Sequence, residues 1–200
     1  MYGIFIYDGV EPIDVGAAFG VLSMASRIIP DLEFAGISPD GGEVVCASGL
    51  CVTAEFAIDD EIPPLSDLIV TGGPGWAEVA RDDRVLEWLR GAQARVTALC
   101  TGAMILQAAG LLEGRRATTK REVFAGETPP LDLLAEHGET CVAALVDDGG
   151  VVTSGGVTLG LDAMFHCLAR SHGAEAAREV ARVMEYSRAL EANRAALGYR

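Results

Sequence analysis

The sequence predicts an α/β fold in which a mostly parallel β-sheet is covered by helices on both faces, giving three layers. Short apolar runs alternate with amphipathic stretches along the 200 residues, which is typical of strands joined by helical crossovers. Half of the residues are hydrophobic and 22% are charged, so the chain has enough apolar material for a folded core. The length favours one domain, which we expect to cover residues 1–186, followed by a helical tail over residues 187–200.

The elements of the first half follow from apolar spacing and turn residues. Proline in the first turn of a helix loses no hydrogen bond, so Pro12 opens the first helix. Val85, Leu86 and Leu89 share one side of the helix predicted after Asp82. The elements expected are, in order, strand Tyr2–Tyr7, helix Pro12–Ala25, strand Glu33–Ser38, hairpin strands Glu43–Ala47 and Leu50–Ala54, strand Asp67–Thr71 and helix Asp82–Gln93.

The second half continues the alternation and ends in helices. The elements expected are strand Val96–Leu99, helix Gly102–Ala109, strand Arg116–Thr118, helix Leu131–His137, strands Thr140–Val146 and Val151–Ser154, and helices Thr158–Ser171 and Ala174–Met184. Three strand ends carry small residues, at Gly72–Gly75, Cys100–Gly102 and Gly155–Gly156. In a parallel sheet these ends meet at the carboxyl edge, where ligands bind, so we expect them to form one site.

The acidic charge excludes two classes of partner. Lysine and arginine number 15 against 29 acidic residues, a formal net charge of −14 at pH 7. We expect neither nucleic acid nor membrane as a partner, because phosphate backbones and anionic bilayers would both repel the chain. The chain shows no secretory signal and its five cysteines form no Cys-x-x-Cys pair, so we expect free thiols in the reducing cytoplasm.

Cys100 is the candidate nucleophile. The strand Val96–Leu99 runs directly into a helix that begins at Gly102, so the cysteine lies in a strand-to-helix turn. The amides and dipole at a helix start stabilise a thiolate, which predicts a reactive thiol. The alternative is that Cys100 is a small buried hydrophobe, as free cysteines often are. The other four cysteines are expected to serve in packing or to lie at the surface.

A thiolate nucleophile also needs an anion hole and a proton carrier. The backbone N–H groups of Gly73 and Thr101 are candidates for the hole, with Gly72 in the same turn. None of the three histidines is well placed, which leaves Asp14 at the start of the first helix as the carrier. Burial would raise its pKa and let it hydrogen-bond the thiolate and donate a proton. The alternative is that Asp14 only complements the helix dipole.

Together these motifs resemble the ThiJ/PfpI superfamily, whose members have a glutamine-amidotransferase-like, flavodoxin-like sandwich. The resemblance covers roughly residues 3–186 and is carried by Asp8–Asp14, Gly72–Gly75, Cys100–Ala103, Ala108–Thr119 and Gly155–Asp162. It is strongest for the branch that includes isocyanide (isonitrile) hydratases, and it extends to sensor domains of AraC-type regulators. The resemblance implies a homodimer in which Cys100 is the nucleophile, Asp14 its carboxyl partner and Thr101 their neighbour.

Lys120 and Arg121 depart from the pattern of the hydratase branch, and Thr101 argues against the protease-like branch. Lys120 and Arg121 stand where the family usually has His-Trp. If Lys120 faces the cysteine, its charge lowers the thiol pKa and favours a polar or anionic ligand; in the alternative, both side chains point to solvent. Thr101 replaces the histidine that follows the cysteine in the protease-like branch, which argues against peptidase or deglycase chemistry.

The expected function is that of an enzyme, a cysteine-dependent hydratase of small electrophilic molecules. The first candidate reaction converts an isocyanide to an N-formamide and requires neither a metal nor an organic cofactor. One alternative is a ligand- or redox-sensing domain without turnover. A second alternative is a glyoxalase-like aldehyde hydratase, which would require a histidine near the cysteine.

Overall fold

The structure, a computed structural model, describes all 200 residues. Its strands are β1 (Tyr2–Phe5), β2 (Phe34–Ser38), β3 (Asp40–Val45), β4 (Cys51–Ala57), β5 (Asp67–Val70), β6 (Arg95–Ala98), β7 (Arg116–Ala117), β8 (Glu139–Thr140), β9 (Leu145–Asp148) and β10 (Val151–Ser154). Its helices are α1 (Pro12–Ala25), α2 (Trp76–Val79), α3 (Asp83–Gly91), α4 (Gly102–Ala108), α5 (Pro130–Ala135), α6 (Leu159–His172), α7 (Ala174–Val183) and α8 (Ser187–Leu197).

Eight strands form one sheet in the order β3-β4-β2-β1-β5-β6-β10-β9. Only the two outer pairs, β3/β4 and β9/β10, are antiparallel. Helices α1, α6 and α7 pack together on one face, whereas α2, α3 and α5 pack around α4 on the other. The predicted α/β fold with a mostly parallel sheet and helices on both faces is therefore confirmed. Strands β7 and β8 form a separate parallel pair.

The apolar runs of the sequence become the central strands because both faces of the sheet are covered. All four residues of β1 and all four of β5 are buried, and apart from Asp67, which pairs with Arg95, they do not alternate with polar residues. The core contains 45 buried residues in one contiguous cluster that reaches both helix layers. None of the helices is both long enough and apolar enough to span a bilayer.

The C-terminal segment is built into the fold. Helix α8 is held by Asp162, a fully buried carboxylate of α6 that accepts hydrogen bonds from Tyr186, Asn193 and Tyr199. Beyond α8, Tyr199 forms a parallel bridge with Leu145, and backbone hydrogen bonds join residues 198–200 to β9 and to the residue before it. The chain end thus covers the outer edge of β9.

Several expected elements differ from those observed. The strand expected at Thr140–Val146 is wrong, because Cys141 donates to Ala117 in the small sheet while β9 begins only at Leu145. Helix α2 was not expected, since its one turn follows directly from the glycine-rich loop after β5. Strand β1 ends at Phe5 rather than Tyr7, and α5 ends at Ala135 rather than His137.

Candidate active site

Cys100 occupies a tight turn between β6 and α4. Its backbone has a φ of 51°, the left-handed region that costs a non-glycine residue about 1–2 kcal/mol. Two hydrogen bonds hold this turn: Leu99 N–H donates to Val70 O at 2.9 Å, and Thr119 Oγ1 donates to Cys100 O at 2.7 Å. Gly102 comes two residues later, and a Cβ there would collide with Val70 O and lie 3.1 Å from Thr71 O, so only glycine lets α4 begin so close to β5.

The side chain of Cys100 is 3% exposed and reaches solvent through a cavity of about 520 Å³. We call this space the thiol cavity. It is lined by Glu11, Ile13, Gly73, Pro74, Trp76, Cys100, Thr101, Lys120, Val123, Phe124, Glu127, Thr128, Pro130 and Val157. The lining is mixed, with apolar and aromatic side chains around a few charged ones, which is typical of sites for small organic molecules.

Asp14 is fully buried beside this cavity at the start of α1. Its Oδ2 accepts a hydrogen bond from Gly72 N–H at 2.8 Å, whereas its Oδ1 has no partner. The pKa of Asp14 is raised to about 7, because burial and the charge of Glu11 outweigh the lowering effects of the Gly72 N–H and of Lys120. Near neutral pH, Asp14 therefore exchanges a proton readily.

Thr101 joins the glycine turn to the cysteine. Its Oγ1 accepts a hydrogen bond from Gly73 N–H at 2.8 Å and lies 3.3 Å from Gly73 O. A Cβ on Gly72 would lie 2.6 Å from Thr101 N and 2.9 Å from Asp14 Oδ2, so a side chain cannot fit between them. These contacts correct the expectation for Gly72 and Gly73, because both amides already donate within the protein and neither is free for a substrate.

Burial dominates the ionisation of the thiol. Together with the charge of Asp14, it raises the pKa of Cys100 to about 12. The backbone N–H and hydroxyl of Thr101 and the charge of Lys120 oppose this effect without cancelling it. Burial therefore opposes the thiolate expected at neutral pH, because desolvation outweighs the start of a helix only two turns long. Of the three candidate amides, the N–H of Thr101 is the one that faces the sulfur.

Lys120 lines the thiol cavity, and both its stem and the sulfur of Cys100 lie close to Gly156. A Cβ on Gly156 would lie 2.7 Å from Lys120 Cβ and 3.1 Å from Cys100 Sγ. The lysine lowers the pKa of both Cys100 and Asp14. Arg121, in contrast, is exposed, pairs with Glu122 at 3.2 Å and does not line the thiol cavity.

No histidine lines the thiol cavity. His166 contacts Asp147 at 2.8 Å, His172 stacks on Tyr2, and His137 lines a different cavity. No group of three or more histidine, cysteine or acidic side chains is placed to hold a metal ion. The arrangement therefore lacks the histidine that a glyoxalase-like site would require.

The other cysteines have different surroundings from Cys100. Cys167 is buried in α6, where its sulfur lies 3.0 Å from Thr97 Oγ1. Cys46 is buried and Cys51 exposed at the hairpin, and none of the five cysteines forms a disulfide. The exposed Cys51 provides an internal reference thiol for the buried Cys100.

Sequence reasoning missed several residues of the site. Tyr7 lies beneath it: its hydroxyl donates to Thr71 O at 3.2 Å, and its pKa is raised by burial and by the charges of Asp14 and Cys100. Trp76 and Phe124 line the thiol cavity, although Phe124 is 83% exposed. The loop that carries Phe124 has no regular apolar spacing, so the sequence contained no signal for its position.

The chain matches the sequence model of the DJ-1/PfpI family over residues 3–170. It is 32% identical to the isonitrile hydratase of Pseudomonas putida over 92% of this chain and 78% of that protein. It is also 31% identical to the HTH-type transcriptional regulator CdhR of Pseudomonas aeruginosa over 90% of this chain, which spans only 53% of that regulator.

Solved structures agree with the sequence comparison. A ThiJ/PfpI family protein from Pseudomonas syringae superimposes with a TM-score of 0.79 at 25% identity, covering 93% of this chain and 74% of the other. Oxidized DJ-1 from Toxoplasma gondii superimposes with a TM-score of 0.74 at 19% identity, covering 93% and 98% of the two chains, a likeness of fold alone. The resemblance drawn from the sequence motifs is therefore confirmed.

Proposed function

Since the chain belongs to the DJ-1/PfpI family, we propose that it is a cysteine-dependent hydratase of small electrophilic molecules, with isocyanides as the first candidate class. One observation carries the proposal: a fully buried carboxyl, Asp14, has a pKa near 7 and an oxygen without a partner, and its charge acts on a buried thiol, Cys100. A group that gains and loses a proton near neutral pH is suited to general acid–base catalysis beside a nucleophile.

The first half of the reaction forms a covalent adduct. The thiol of Cys100 is protonated at rest, so its proton passes to Asp14 Oδ1 as the sulfur attacks the terminal carbon of the isocyanide. The N–H of Thr101 stabilises negative charge on the sulfur. Asp14 then delivers the proton to the same carbon, which leaves a neutral thioimidate with a new C–S bond.

The second half releases the product. Water adds to the thioimidate carbon, one of its protons moves to nitrogen through Asp14, and the C–S bond breaks. The sulfur leaves with the remaining proton as the thiol, and the product is an N-formamide. The sum is the addition of one water molecule, so no oxidant or reductant takes part.

The relatives support two functions for this scaffold. The isonitrile hydratase of Pseudomonas putida is 32% identical to this chain over 92% of its length, which supports turnover. Relatives named as HTH-type transcriptional regulators support a second candidate, ligand sensing without turnover. This chain spans about half of the length of these regulators. The sensing candidate therefore concerns only the half of each regulator that matches this chain. We also include a homodimer and a reducing cytoplasmic location in the proposal.

The test is isocyanide turnover by purified protein, with formamide quantified by NMR or mass spectrometry. Cys100→Ser should abolish turnover, and Asp14→Asn should reduce kcat about 10²–10⁴-fold, the usual range for loss of a general acid–base group. Cys51→Ser is the matched control and should leave kcat unchanged, because Cys51 is exposed at the hairpin.

The same measurements separate the candidates. Turnover that survives Cys100→Ser would refute the covalent mechanism. Absence of turnover in the wild type, together with quenching of Trp76 fluorescence by the same isocyanides, would favour sensing over catalysis, because Trp76 lines the thiol cavity.

A further inference from the structure

Lys120 is the only cationic side chain that lines the thiol cavity, and it is the only lysine in the chain. No carboxylate lies within 4.0 Å of its ammonium group. A half-buried lysine whose ammonium group has no carboxylate partner is unusual in a protein with a net charge of −14, because a nearby acid would normally pair with it. The charge of Lys120 is thus left open to whatever occupies the cavity.

The position of Lys120 relative to the sulfur sets the size of the ligand. The stem of Lys120 and Cys100 Sγ both lie within 3.1 Å of the point that a Cβ on Gly156 would occupy. The absence of that Cβ lets the lysine run directly past the thiol. The first two carbons of the Lys120 side chain therefore lie beside the sulfur, and a group paired with the ammonium is at most the length of the remaining stem away from the thiol.

The acidic residues of the cavity limit the ligand's charge. Glu11 and Glu127 also line it, and the charge of Glu11 raises the pKa of Asp14. At the thiol, the charge of Asp14 acts more strongly than that of Lys120, and Lys120 is the one cation that acts there. One cation beside the sulfur, with two carboxylates elsewhere in the lining, fits a monoanion better than a dianion or a cation.

We propose that the substrate is a small monoanion, in which the electrophilic carbon attacked by Cys100 lies within three bonds of the carbon of a carboxylate paired with Lys120. The chemistry of attack rests on the proposed hydratase function, whereas the preference for negative charge beside the thiol does not. For isocyanides, the simplest molecule of this class is isocyanoacetate.

The first test compares isocyanoacetate with its uncharged methyl ester, which has the same reacting group. In the wild type we expect kcat/KM to be at least about tenfold higher for the acid. Lys120→Met keeps the unbranched stem against Gly156 and should remove this preference. Lys120→Arg keeps the charge and should restore it in part. An ester that equals or exceeds the acid in the wild type would overturn the proposal, as would an unchanged ratio in Lys120→Met.

The second test does not depend on hydration. Iodoacetate and iodoacetamide differ only in the charge beside the reacting carbon; each forms an S–C bond as iodide leaves. Mass spectrometry gives the ratio of the two alkylation rates at Cys100 and, in the same sample, at the exposed Cys51. The ratio of iodoacetate to iodoacetamide should be about tenfold higher at Cys100 than at Cys51. In Lys120→Met it should fall to the Cys51 value.

The two tests separate the failures. If neither isocyanide is converted but Cys100 keeps its Lys120-dependent preference for iodoacetate, the hydratase proposal fails and recognition of an anion stands. If Cys100 and Cys51 show the same ratio in the wild type, the inference about the substrate's charge is refuted, whatever the fate of the isocyanides. Because the ratio compares two reagents at one sulfur, any change in the pKa of Cys100 caused by Lys120→Met cancels.

Discussion

At the scale of single residues, the buried position of Asp14 makes its ionised carboxylate destabilise the folded chain. Asp14 is fully buried, and only one of its two oxygens accepts a hydrogen bond. A carboxylate in this position loses more hydration than the Gly72 N–H returns, which is why its pKa is raised. The same property that lets Asp14 carry a proton near pH 7 makes its ionised form unfavourable in the native state.

We predict that Asp14→Asn stabilises the protein in a pH-dependent way. The folded pKa is raised from 3.8 to about 7, so the favourable contribution of the bound proton is present below about pH 4 and lost as the pH rises through about 7. At about 1.4 kcal/mol per unit, the wild type above pH 7 loses roughly 4 kcal/mol that the variant keeps. Urea unfolding at pH 4 and pH 8 measures the difference.

The control for this experiment is Asp31→Asn, at an exposed position whose φ of 58° asparagine also tolerates. That variant should differ little from the wild type at either pH. A stability gain of Asp14→Asn that is the same at pH 4 and pH 8 would mean that Asp14 ionises near its ordinary pKa.

At the scale of elements, the sequence predicted the helices, strands and turns that are determined by their own local sequence pattern. The turn at Cys100 was predictable because an apolar run meets Gly102 with no intervening loop. The internal use of the Gly73 amide was not, because it depends on Thr101, which the fold brings from another part of the chain. The break between β8 and β9 was hidden for a similar reason: β8 pairs with β7 rather than with its neighbour β9, and the apolar residues between β8 and β9 continue the pattern.

Helix α4 offers a test of how closely an element approaches the sheet. Gly102→Ala would force a Cβ against the carbonyls of Val70 and Thr71, so we expect a loss of about 1–3 kcal/mol in the free energy of unfolding. Gly20→Ala is the matched helical control. No atom lies within 4 Å of its added Cβ in α1, and it should gain about 0.5–1 kcal/mol. Thermal or urea unfolding that ranks the two variants in the opposite order would contradict the close contact.

At the scale of the whole molecule, we predict a homodimer, as implied by the resemblance to the superfamily. Sedimentation at micromolar protein concentration should give twice the monomer mass of 20.9 kDa. A single species of 20.9 kDa at that concentration would count against the dimer. Two apolar residues that line the thiol cavity, Ile13 and Phe124, are 49% and 83% exposed in the single chain. Reduced solvent accessibility of these residues in solution would be independent evidence for the dimer.

The covered edge of β9 restricts how such a pair can form. A free sheet edge invites another strand to add, and repeated addition gives open-ended polymers. At β9 the positions are taken by residues 198–200 of the same chain. At the other edge, β3 carries the exposed charges of Asp40 and Glu43 and an irregular register between Asp40 and Gly42. Because both ends of the sheet resist extension, we predict that copies meet through helices and loops, and that the assembly is a finite pair instead of a fibre.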